Sequence, residues 1–143
     1  LRQLLVSWMR PLPRLQNVNH ASNQVQLKRV PMPTHKVDAG KIAALNDSAR
    51  QGKDHCRVIL TQGVLACDPA AVAELLIDVE GFTAFTADND PYGEHDFGVI
   101  KHKGTTFFWK IDCYDVDLQM HSPEPSDTTV TTRVLTIMLA DEY

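Results

Sequence analysis

The chain has 143 residues, a mean hydropathy of −0.21 and a formal charge of −4, enough length for one hydrophobic core and too little for two. The charge is uneven: residues 1–36 carry six basic side chains (Arg2, Arg10, Arg14, Lys28, Arg29, Lys36) and no acidic one, leaving eight basic against eighteen acidic residues, −10, in the rest. So acidic a body repels nucleic acid, which confines any DNA or RNA contact to residues 1–36.

In chain order, the apolar run at Leu4, Leu5 and Val6 is broken by Arg10, Pro11 and Pro13. It is too short for a secretory core or a bilayer span, so no membrane contact is expected. An acid-free, Arg-bearing leader superficially matches an organelle transit peptide, but Pro11, Pro13, Pro31 and Pro33 interrupt the helix that such a peptide needs. Opening on Leu1 rather than methionine is what a fragment, a processed form or a non-standard start gives. Residues 1–36 are expected to be a disordered or arm-like basic extension, and residues 37–143 one compact domain.

From Val37 the elements sharpen. Asp38 caps a helix whose apolar face holds Ile42, Leu45 and Ala49 and which Gly52 ends. "CRVILTQGV", Cys56 to Val64, is short and β-branched and reads as a strand. Asp68 and Pro69 open a second helix with Val72, Leu75, Leu76 and Val79 on one face, and Phe82 and Phe85 extend its core contact. The three cysteines, Cys56, Cys67 and Cys113, lack C-x-x-C spacing, which predicts neither a disulfide framework nor a zinc knuckle and points to a reducing, cytoplasmic setting.

Period-two alternation then predicts a hairpin. A three-residue loop sets Val99 opposite Trp109, Phe97 opposite Ile111, Asp96 opposite Asp112 and Lys110 opposite Gly98. A two-residue loop shifts the pairing by one and places His95 across from Asp112. The first register is preferred because it collects the apolar side chains on one face. In "PSDTTVTTRVLTIMLADEY", a cap at Ser126 or Asp127 and the spacing of Val130, Val134, Leu135, Met138 and Leu139 predict a third helix, although the Thr and Val content also suits a strand. The fold class is α+β: a small antiparallel sheet, the hairpin plus one or two further strands, packed on one face against two or three helices.

The stretch "DNDPYGEHDFG" places Asp88, Asp90, Glu94, His95 and Asp96 within nine positions. Calcium is excluded, because Tyr92 and Val99 stand where an EF-hand loop needs its fifth ligand and its bidentate glutamate. For zinc, His95, His102, His121 and Cys113 lack the H-E-x-x-H spacing. A hydrolase or nuclease would use Glu94, His95, Asp96, Asp112 and Lys110, with His95, Asp96 and Asp112 holding a divalent metal. Against it stands a non-enzymatic binding surface of Asp88, Asp90, Tyr92, Glu94, Asp96, Asp115 and Asp117 facing a basic protein partner. The second reading is preferred; it needs no cofactor and fixes no oligomeric state. No G-x-S-x-G or phosphate-binding glycine loop supports other chemistries.

"NDPYGEHDFG", "FFWKID", the following "YD" and "TTRVLTIMLADEY" together resemble the small bacterial family catalogued as domain of unknown function 3768, over about Ile42 to Tyr143. The resemblance implies a short alphaproteobacterial protein, often carried on plasmids or other mobile elements, with no assigned activity. It also implies that Cys113, where the family pattern carries an aromatic, is not a required ligand. Arg133, Glu142 and Tyr143 fall in the family-like C-terminal motif, and a buried Arg133 is expected to pair with one of the clustered carboxylates.

Overall fold

The computed structural model describes residues 38–143; the basic segment 1–36, with its arm and transit-peptide readings, lies outside the described residues. Helix α1, Ala39–Arg50, starts where the Asp38 carboxylate accepts the Lys41 N–H at 3.0 Å. It stops at Gly52, whose φ of +69° suits a residue without Cβ. Strand β1, Arg57–Leu60, turns at Thr61 into the short α2, Gln62–Leu65. Helix α3, Pro69–Glu80, has Asp68 accepting from Ala70 and Ala71 N–H groups and proline in its first turn, as the sequence predicts.

Three further strands, β2 (Phe97–His102), β3 (Thr105–Tyr114) and β4 (Thr132–Leu139), complete a four-stranded sheet of order β1-β4-β3-β2. The expected α+β class holds. The sheet is mixed rather than purely antiparallel, because β1 runs parallel to β4.

Three expectations are corrected. The strand expected from Cys56 to Val64 ends at Leu60, and Gln62–Leu65 is helical instead. Residues 132–139 form β4, not a third helix. β4 is an interior strand with buried side chains on both faces, Leu135 and Ile137 on one and Val134 and Met138 on the other. Such a strand reads as a near-continuous apolar run that periodicity alone does not separate from a helix.

The hairpin register is the one set by a two-residue loop: Gly98 faces Trp109, Phe97 faces Lys110 and Val99 faces Phe108. Asp96 therefore does not oppose Asp112. Lys103 and Gly104 form the turn with φ of 48° and 84°, the pair of positive values that a tight hairpin turn demands. Gly98 and Ile100 face inward, and Phe97 and Val99 face outward.

The core unites Val64, Leu75, Val79, Ile100, Phe107, Trp109, Ile111, Leu135 and Ile137 on the helix-bearing face of the sheet. Phe82 and Phe85 meet the Trp109 indole edge-on at ring distances of 5.4 and 6.2 Å, in line with their expected core role. On the opposite face Phe97, Phe108 and the terminal Tyr143 form an aromatic cluster with centroids 5.4 to 5.9 Å apart.

Candidate functional site: the acidic loop and its anchor

The loop before β2 is built around Asp90. Its carboxylate is buried and accepts the backbone N–H groups of Glu94 at 2.9 Å and His95 at 3.2 Å. This closes the turn that Pro91 and Gly93 begin. His95 sits in the left-handed region, with φ of 54°, a conformation uncommon for a residue with a Cβ. Its ring stacks on Phe85, centroids 3.8 Å apart and planes parallel within 1°. Nδ1 lies 2.8 Å from Asp47 Oδ2, and Nε2 lies 3.7 Å from Asp90 Oδ2.

Asp47 belongs to α1, which supplies two further buried polar side chains. Arg50, only 3 % exposed, donates to Asp47 Oδ1 at 2.8 Å, to Glu80 O at 2.7 Å and to Val79 O. It thereby satisfies carbonyls left open at the end of α3 while its guanidinium lies over the Phe85 and Trp109 rings. Asn46, 1 % exposed, donates to Glu94 O at 2.9 Å and accepts from Arg133 Nε at 2.8 Å. Arg133 is buried as expected, but its hydrogen bonds go to Asn46 and, at 2.6 Å, to Pro125 O, not to a carboxylate.

The other predicted residues divide by environment. Glu94 and Asp96 are half-buried. Loss of solvent, reinforced by Asp96 and Asp90 around Glu94 and by Asp90 and Asp112 around Asp96, lifts both carboxyls above their ordinary range. Asp112 pairs with Lys110 at 2.8 Å. Burial alone would lower the Lys110 ammonium, but the bond to Asp112 and its charge hold it raised. Asp88 and Tyr92 are exposed. The Asp115 carboxylate accepts Gln119 N–H at 2.8 Å and shapes the turn that carries the exposed Asp117.

Asp90, Glu94, Asp96 and Asp112 thus share one electrostatic neighbourhood, while Asp115 serves a turn of its own. Among the described residues, no group of three or more His, Cys, Asp or Glu side chains is placed to hold a metal ion. Both His95 ring nitrogens face carboxylates within the fold. The cysteines are unpaired, and burial raises the Cys56 and Cys113 thiols. Among the described residues, no helix is long and apolar enough to cross a membrane.

Sequence reasoning missed Asn46, Asp47 and Arg50. The available signal was their place on α1: Asn46 and Arg50 follow Ile42 at helical spacing and so fall on the buried face.

No curated protein and no solved structure matches the chain. Residues 60–142, which run from the end of β1 through the acidic loop, the hairpin and β4, match the family described as "Protein of unknown function (DUF3768)", and the chain belongs to that family.

Proposed function

We propose that the protein is a non-enzymatic binding or accessory protein whose acidic face docks a basic surface of another protein. The observation that carries this reading is the pair Glu94 and Asp96: half-buried, lifted by loss of solvent, with Asp96 and Asp90 acting on Glu94 and Asp90 and Asp112 on Asp96, and without an ion-pair partner among the described residues. Carboxylates crowded in this way repel one another, and a cationic partner surface relieves the repulsion on contact. Exposed Asp88, Tyr92 and Asp117, with the half-buried Asp115, extend the face, and the mobile-element setting implied by the family resemblance suits an accessory role. Backbone N–H groups hold Asp90, and Asp47 and Phe85 hold the His95 ring, which fits positioning of the surface more readily than turnover of a substrate.

The test is binding of an oligolysine peptide to the full chain by fluorescence anisotropy, at low and high salt. Asp88→Lys/Asp117→Lys is compared with Glu80→Lys/Asp141→Lys, which changes the net charge equally at exposed positions elsewhere. The reading expects salt-sensitive binding that only the first set abolishes. Equal losses in both sets would reduce the effect to net charge and overturn it.

A further inference from the structure

Where β1 and β4 run parallel, their N-terminal ends open on a cleft of about 360 Å³. Leu45 of α1 forms one wall, Asp54 and His55 before β1 form another, and Thr128, Thr132 and Arg133 form the third.

Arg133 is the anomaly. It is 4 % exposed, and both of its hydrogen-bond partners are neutral: the Asn46 amide oxygen and the Pro125 carbonyl. Its Nη1 has no partner among the described residues. A buried charge is ordinarily met by an opposite one, because neutral acceptors recover only part of the lost solvation. The other buried arginine follows that rule, since Arg50 pairs with Asp47 at 2.8 Å.

The surroundings of Arg133 suit an incoming anion. Asn46 is itself 1 % exposed and fixed to Glu94 O, so the guanidinium plane is set before any ligand arrives. The Thr128 and Thr132 hydroxyls and the His55 ring make no hydrogen bond to protein groups among the described residues, and all three line the same cleft. The exposed carboxylate of Asp54 is the opposing charge on the wall. Glu94, Asp96 and Asp112 lie towards Cys113, the strand partner of Arg133, and do not line the cleft.

We propose that this cleft binds a small oxyanion, the carboxylate or phosphate group of a ligand, with Arg133 meeting its oxygens through the free Nη1 and Thr128, Thr132 and His55 closing around it. The cleft shares Asn46 with the acidic loop, through its bond to Glu94 O, but none of the proposed anion-binding groups belongs to that loop.

The experiment uses the ¹⁵N-labelled full chain, titrated with sodium phosphate and, separately, with sodium acetate, against sodium chloride at matched ionic strength. His55→Ala and Thr128→Ala, at exposed positions outside the core, serve as variants, and their spectra verify the fold. The expected result is a saturable shift of the His55, Thr128 and Thr132 amides and the Arg133 Nε–H, weakened in each variant about three- to tenfold, the worth of one hydrogen bond. A response to phosphate alone assigns the site to phosphate esters, and a response to acetate alone assigns it to carboxylates. If neither anion exceeds chloride, or if both variants bind as the parent does, the proposal is overturned.

Discussion

Asp47 on α1 holds Nδ1 of His95 at 2.8 Å, although the two residues come from opposite sides of the acidic loop's foundation. The contact fixes the ring over Phe85 and ties α1 to the loop. Asp47→Asn, His95→Gln and the double variant should show a coupling of about 1 kcal/mol in urea unfolding, within the range for a partly exposed side-chain hydrogen bond. Strict additivity would mean that the pair contributes nothing to anchoring.

The raised carboxyls set a pH dependence. Native Glu94 and Asp96 bind protons more strongly than the unfolded chain does. Their contribution to stability is therefore complete below the ordinary carboxylate range and is lost as pH rises through their raised values. Asp96→Asn should raise the thermal midpoint at neutral pH by about 2–4 °C, with the gain vanishing near pH 3. A lower midpoint at neutral pH would show that the charge itself is needed by the fold.

Glu142 works with the opposite sign. Burial alone would raise it, but bonds from Thr61 Oγ1, Leu139 N–H and Gly63 N–H outweigh that and hold it low. This stabilisation is present above the ordinary value and fades as pH falls through the depressed one. Glu142→Gln should cost about 1 kcal/mol near pH 7, after allowance for solvent screening, and the cost should shrink in acid. Gly63→Ala tests the same clasp sterically, because its new methyl would overlap Leu139 and the Glu142 carboxyl.

Gly98 is the position on which the hairpin depends. A Cβ there would overlap the Trp109 indole, which is fully buried. Gly98→Ala should cost about 2 kcal/mol or more, read by chemical denaturation, whereas Val99→Ala on the outer face should cost far less. Equal losses would contradict the register.

How much of this was legible depended on whether the signal was local. The start of α3 was written in Asp68 and Pro69, and that of α1 in Asp38. The hairpin was visible as alternation, but its register turned on Gly98, which contributes no side chain to the pattern, so counting Phe97 and Val99 as inward misassigned the faces. β4 carries apolar residues at helical spacing because both of its faces are covered, and only its Thr and Val content spoke for a strand. The loop's composition marked a site. Its anchors on α1 did not stand out, since Asn46, Asp47 and Arg50 resemble a solvated helix face until Glu94, His95 and Arg133 are brought beside them.

The sheet order also governs how the chain acquires its structure. β4, which follows the other three strands in chain order, lies between β1 and β3, so β1 has no neighbour in the sheet until residues 132–139 are available. The β2–β3 hairpin forms locally, but the parallel pair closes a long loop, a slow and concerted step. A ribosome-bound intermediate lacking residues 132–139 would leave β1 unpaired and Arg133 missing from beneath Asn46. β4 therefore completes both the sheet and the polar anchor of the acidic loop.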